Sequence, residues 1–135
     1  MELSQIMTRE VEVIAPSATL QEAAEQMKAR DVGALPVCEG PQLVGMLTDR
    51  DITVRADAAG LDPQVARVRD VLTPHVHYCF EDQAPEEAAW LMKEYRIRRL
   101  AILDRGQRLV GMVSLDDLAL TDESLAGEVL RGVVE

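Results

Sequence analysis

Two short motifs hold the residues best suited to chemistry. Thr48-x-x-Asp51 follows the apolar run Leu43 to Leu47, and Ser114-x-x-Asp117 follows the apolar run Leu109 to Val113. A hydroxyl with a carboxylate three residues on, at a helix start, reads first as a capping pair. Both groups then satisfy backbone N–H groups that lack an intrahelical partner. The same pattern also suits a ligand. A helix N-terminus offers N–H groups and positive dipole to a phosphate, and a carboxylate one turn in accepts ribose hydroxyls. The readings are partly compatible, since the hydroxyl caps while the aspartate binds.

Arg98 and Arg99 are the second feature. Arg96 and Lys93 lie nearby, in a chain whose net charge is −10. Paired guanidinium groups clamp phosphates; the plainer reading is two solvated arginines at a helix–strand junction. A third pattern is His75-x-His77-x-Cys79, with Cys38 elsewhere. Alternate residues of a strand point one way, and imidazole with thiolate suits zinc. Surface histidines beside a buried cysteine are the preferred reading, so no metal is expected. A Cys38–Cys79 bridge is not expected in the cytosol. No G-x-S-x-G, Walker or H-E-x-x-H pattern occurs, which leaves no catalytic constellation and no enzyme.

The elements that position these residues occur twice. Leu43-Val44-Gly45-Met46 returns as Leu109-Val110-Gly111-Met112, the signature of a tandem repeat. In the first copy Val11 to Ile14 reads as a strand. Thr19 and Glu22 cap a helix running to about Arg30, and Ala34 to Cys38 pairs with Leu43 to Leu47 as a hairpin. Pro36, without an N–H, belongs at an edge or bulge. A second helix runs from Thr48 or Asp49 to the Ala56–Ala59 region. In the second copy Val76 to Phe80 is a strand, and Pro85 opens a helix to Tyr95. Leu100 to Leu103 and Leu109 to Val113 form the hairpin, and a helix opens at Ser114 or Leu115. The helices align at an offset of 65 residues and the later strands at 66. Arg98 and Arg99 thereby correspond to Gly33 and Ala34, and Trp90 to Glu25. Trp90 is read as a packing contact.

The fold class is therefore α/β: two strand–helix–strand–strand–helix repeats related by a pseudo-twofold. The first repeat occupies residues 7–59, a linker 60–71, the second repeat 72–120, and a helical tail 121–135. Leu125, Val129 and Val133 give that tail a packing or dimer face. At 135 residues with 47% hydrophobic and 3% aromatic content, the core must be aliphatic. The negative charge argues against nucleic acid and anionic membranes as partners. No apolar run reaches the ~20 residues of a membrane helix, and MELSQIMTRE has no signal-peptide pattern. A soluble cytoplasmic protein is expected.

Taken together, G-A-L-P-V-C with L-V-G-M-L-T-D-R-D-I, and R-R-L-A-I-L-D with L-V-G-M-V-S-L-D-D-L, resemble a tandem pair of cystathionine β-synthase (CBS) domains. The T-D-R-D-I wording and the length are similar to stand-alone bacterial pairs of the hypoxic response protein type. The resemblance spans about Met7 to Leu120. It implies a non-catalytic regulatory module, often a homodimer, that binds an adenosine nucleotide (AMP, ADP or ATP) in a cleft between the repeats and signals to an effector protein. No cofactor is required. Asp51 or Asp117 would take the ribose, and Thr48 or Ser114 with Arg98 and Arg99 the phosphate. Val13, Ile14, Ala34 and Pro36 would wall one adenine pocket, facing Asp117. Tyr78, Cys79, Leu100 and Ala101 would wall the other, facing Asp51. Ala101 stands where the family usually has proline. Some members bind S-adenosylmethionine, metal ions or nucleic acid. The rival readings are a ligand-free, stress-associated interaction protein, and a metal- or redox-responsive protein using His75, His77, Cys79 and Cys38.

Overall fold

The computed structural model describes residues 1–74 and 76–134, with the backbone alone at 125, 133 and 134. The chain divides into two compact units, Glu12–Val76 and Met1–Val11 with His77–Glu135.

In the first unit, α1 (Leu20–Arg30) starts at Thr19, whose Oγ1 accepts the Glu22 N–H at 3.1 Å. Leu20, Ala23 and Met27 recur at helical spacing and are buried. The helix stops where Asp31 adopts a left-handed φ of 54°. Strands β1 (Ala34–Glu39) and β2 (Gln42–Thr48) pair antiparallel. The register steps between Val37 and Cys38, which pair with Gly45 and Leu43, so Val44 is the extra residue of a β-bulge.

The strand expected over Val11 to Ile14 reduces to one bridge. Ile14 donates to the Pro36 carbonyl and accepts from the Cys38 N–H, both at 3.0 Å. Pro36 has no N–H to extend that ladder back toward Glu12. The helix expected from Thr48 or Asp49 to about Ala59 contains a π-helical segment, Asp51–Asp57. Residues 60–71 are expected as a linker, with Val68, Val71 and Leu72 suggesting a short helical turn before Pro74; the 3₁₀ turn Val68–Asp70 forms there, and buried Val68 and Val71 join this unit's core.

In the second unit, β3 (Tyr78–Phe80) runs parallel to β4 (Arg99–Leu103), and β4 antiparallel to β5 (Leu109–Ser114). Here Ala101 takes the place of Pro36 and keeps its N–H, and three residues of β3 join the ladder. That is still shorter than the five expected from Val76. A step between Ile102 and Leu103 leaves Val110 as the bulge, matching Val44. Helix α2 (Pro85–Tyr95) has Pro85 in its first turn, as the sequence predicts, and buries Ala88, Ala89 and Met92. Trp90 falls on the other face and is 59% exposed, so the packing contact expected of it does not form. Helix α3 (Leu115–Thr121) is followed by α4 (Glu123–Val134). Ala126 and Val129 of α4 join the core with Met92 and Leu118, which gives the tail its packing role. The side chains of Leu125 and Val133 lie outside the described set.

The repeat reaches further back than its motifs suggest. Leu3-Ser4-Gln5-Ile6-Met7-Thr8 and Val68-Arg69-Asp70-Val71-Leu72-Thr73 both begin with a 3₁₀ turn. Leu3 and Ser4 donate to the Gln83 and Glu81 carbonyls at 2.8 and 2.9 Å; Val68 and Arg69 donate to the Ala18 and Pro16 carbonyls at 2.9 and 3.0 Å. Thr8 then bridges Met112, and Thr73 bridges Met46. The segment before each repeat thus joins the sheet of the other repeat. Among the described residues, no helix is long and apolar enough to cross a membrane.

Candidate functional site

Both hydroxyl–carboxylate pairs form complete capping boxes. Asp51 N–H donates to Thr48 Oγ1 at 3.0 Å, and Asp51 Oδ2 accepts the Thr48 N–H at 2.9 Å. Asp117 N–H donates to Ser114 Oγ at 3.1 Å, and Asp117 Oδ2 accepts the Ser114 N–H at 2.8 Å. The structural reading of these motifs therefore holds in both repeats.

What remains of each carboxylate differs. Asp51 is buried, and its Oδ1 faces Arg55 Nε at 3.7 Å. Arg55 also donates to the Val71 and Leu72 carbonyls at 3.3 Å, which ties this site to the segment behind it. Asp117 is half-buried, and among the described residues no donor or cation is paired with its Oδ1. The Arg55 partnership went unread in the sequence, although its i, i+4 spacing from Asp51 is the signal that would have revealed it.

Arg98 and Arg99 stand beside the second box. Arg99 pairs with Ser114 across the β4–β5 ladder, and the Arg98 carbonyl accepts the Leu115 N–H at 2.9 Å. Both arginines are exposed, and among the described residues neither is ion-paired. The equivalent positions of the first repeat keep the backbone geometry without the charge. Ala34 pairs with Thr48, and the Gly33 carbonyl accepts the Asp49 N–H at 2.9 Å. Gly33 leaves little room for a side chain, since a Cβ there would lie 3.2 Å from Asp49 Oδ2. One repeat thus carries two exposed guanidinium side chains beside its capping box, and the other carries no charge at those two positions.

The expected wall residues fall in two settings. In the first unit Ile14 and Pro36 are buried and Ala34 half-buried, while Val13 is exposed and its carbonyl accepts from Gln26 Nε2 at 3.1 Å. In the second unit Cys79, Leu100 and Ala101 are buried, and Tyr78, which pairs with Ala101, is partly exposed. Ile14, Leu100 and Cys79 are core residues in their own units.

Of the residues named in the metal reading, Cys38 belongs to the first unit and His77 and Cys79 to the second. His75 lies outside the described residues. The His77 ring is stacked on Tyr95 with centroids 3.7 Å apart. Cys79 and Cys38 are buried free thiols. Burial, reinforced by the Glu87 charge, pushes the Cys79 thiol up to about 11, and burial also raises Cys38. Among the described residues, no three His, Cys, Asp or Glu side chains converge as metal ligands do.

Comparison with known proteins follows the repeat. The family profile described as CBS domain matches residues 3–56 and 68–122. The Bacillus subtilis CBS domain-containing protein YhcV is 43% identical over 129 residues, covering 94% of this chain and 91% of its own. A crystal structure of Hypoxic Response Protein I with two coordinated zinc ions superposes with a TM-score of 0.82 at 35% identity, covering 90% of this chain and 98% of that one. A crystal structure of CBSX2 in complex with AMP gives a TM-score of 0.78 at 25% identity, covering 92% and 97%.

Proposed function

The chain belongs to the CBS-domain family, and from that premise we propose that it is a non-catalytic regulatory module whose ligand is an adenosine nucleotide, AMP, ADP or ATP. The observation that carries this reading is the juxtaposition of exposed Arg98 and Arg99 with the Ser114–Asp117 box. Asp117 Oδ1 would accept a ribose hydroxyl. Ser114 and the two guanidinium groups would take the phosphate. The AMP complex of CBSX2 supports the ligand class.

The second-repeat residues are the preferred site. In the first repeat Asp51 already has Arg55 as a partner, and Gly33 and Ala34 bring no charge. Binding would bias the conformation of a homodimer, and an effector protein would read the change. Isothermal titration calorimetry with AMP, ADP and ATP tests the proposal. Saturable heat that is lost in Asp117→Ala and in Arg98→Ala/Arg99→Ala supports it. No heat at millimolar nucleotide refutes it.

A further inference from the structure

Tyr78 and Cys79 of β3, Gln83 of the turn, and Glu86, Glu87, Trp90 and Leu91 of α2 line a mainly apolar concavity of about 420 Å³. That size falls within the range of small-molecule sites. Its two aromatic residues are open to solvent, Trp90 by 59% and Tyr78 by 39%. The first repeat has no aromatic residue at the matching positions, where Val13 and Glu25 stand in place of Tyr78 and Trp90. Repeat packing therefore does not demand these aromatics.

The charge around the concavity is negative and partly fixed. Gln83 Oε1 accepts the Phe80 N–H at 2.7 Å, and Gln83 Nε2 donates to Glu87 Oε2, so one glutamine ties Glu87 to the end of β3. The Glu87 charge is felt at Cys79, on the wall of the concavity. Glu86 and Glu87 lie in the first turn of α2. Their two full charges exceed the half positive charge of a helix N-terminus. Among the described residues, Arg105 is the cation recorded against these groups: Asp82 holds it at 2.8 and 2.9 Å, its guanidinium lies 4.2 Å over the Phe80 ring, and it also feels the Glu87 charge. That neighbouring pair shows the same chemistry in miniature, a carboxylate and an aromatic face sharing one cation. Tyr78 stands edge-on to that Phe80 ring at 5.5 Å.

We propose that this concavity binds a small organic cation of the alkylammonium class, with Trp90 and Tyr78 as π faces and Glu86 and Glu87 as counter-charges. An apolar wall accommodates the alkyl groups. The ring faces and carboxylates together hold the charge. A nucleotide suits the place poorly, because both carboxylates oppose its phosphate. A second copy would bring like charges together.

Trp90 is the sole tryptophan, so its emission reports directly on the concavity. Choline chloride is titrated at constant ionic strength, beside 3,3-dimethylbutan-1-ol, which has the same shape without charge. Saturable change with choline, half-complete at about 1 mM, and none with the alcohol is the expected result. Glu87→Gln should raise the half-saturating concentration about fivefold, and Tyr78→Leu should weaken binding as well. Circular dichroism and urea midpoints establish that both variants are folded. An equal response to the alcohol overturns the proposal, as does no response to choline. A response to AMP alone would assign the concavity to the nucleotide. Emission that depends on protein concentration, with matching dimerisation in the ultracentrifuge, would assign it to a second copy.

Discussion

Arg99 lies directly opposite Ser114 in the β4–β5 ladder, so a guanidinium-bearing residue and the N-cap of α3 are held side by side by backbone pairing alone. The same ladder positions in the first repeat hold Ala34 and Thr48. Two repeats whose hairpin ladders match in register therefore differ in charge beside their capping motifs. The charge of Arg98 and Arg99 can therefore be removed without touching the cap, which belongs to Ser114 and Asp117.

Arg98→Ala/Arg99→Ala should weaken nucleotide binding at least tenfold, since a charge-assisted contact contributes about 1.5–3 kcal/mol. Its unfolding free energy should stay within about 0.5 kcal/mol of wild type, both side chains being exposed and, among the described residues, not ion-paired. Ser114→Ala should lose about 1 kcal/mol of stability through the missing cap. Urea unfolding read with calorimetry checks the pair. An equal stability loss in both variants would contradict the separation.

The two aspartates should behave differently. Asp51→Ala removes a buried carboxylate, leaves the Thr48 N–H without its acceptor and takes the counter-charge from Arg55, at a cost of about 1–3 kcal/mol. Asp117→Ala should cost about 1 kcal/mol, the loss of its part in the cap, and should affect nucleotide heat more than Asp51→Ala does. Matched losses of binding heat would mean that the repeats are equivalent ligand sites.

The repeated order of elements, their caps and the aliphatic core are legible in the sequence because they rest on local patterns. Thr48-x-x-Asp51 and Ser114-x-x-Asp117 specify their own hydrogen bonds. The short first strands are only half legible. Pro36 announces a missing donor, but which neighbour loses a partner depends on the strand lying beside it. The lead-ins Leu3–Thr8 and Val68–Thr73 share a pattern and no identical residue except the final threonine, so their common role appears only in the bonds they make. Trp90 was misplaced because a helix with alanines on one face gives no local sign of what covers the other. That the Asp51 Oδ1 faces a cation, beyond the cap that both aspartates make, depends on Arg55, whose spacing is ordinary on a charged helix.

Gly45 and Gly111 should both resist substitution, because each lets a lead-in cross its strand. A Cβ at Gly45 would lie 2.6 Å from the Thr73 carbonyl oxygen and 2.7 Å from Leu72 Cδ1; at Gly111 it would lie 2.7 Å from Met7 Sδ and 2.9 Å from the Thr8 oxygen. Gly45→Ala should cost about 2 kcal/mol or more. Gly111→Ala should cost less, because its nearest obstacle is the flexible side chain of Met7, with the Thr8 backbone oxygen further off than the Thr73 oxygen is at Gly45. Urea midpoints of the two variants give the order, and a neutral Gly45→Ala would show that Thr73 does not cross at this point.

Cys79 should make the fold sensitive to alkali. Its thiol is pushed up to about 11 by burial and then by Glu87, against 9.0 for the unperturbed group. Below pH 9 the thiol is protonated in both folded and unfolded chains, and its contribution to stability is fully present. Between 9 and about 11 the unfolded chain releases this proton while the folded chain keeps it. Stability must then fall as pH rises. Two pKa units set the size of this loss on the order of 2 kcal/mol. Because other groups titrate in the same range, the informative quantity is the difference from Cys79→Ala. That variant should be less stable at pH 8, from the cavity it leaves, and should lose less stability between pH 9 and 11. Native Cys79 should also react slowly with a thiol reagent at pH 8 and rapidly in urea. Parallel stability curves for the two proteins across that range would show that Cys79 ionises freely in the folded state.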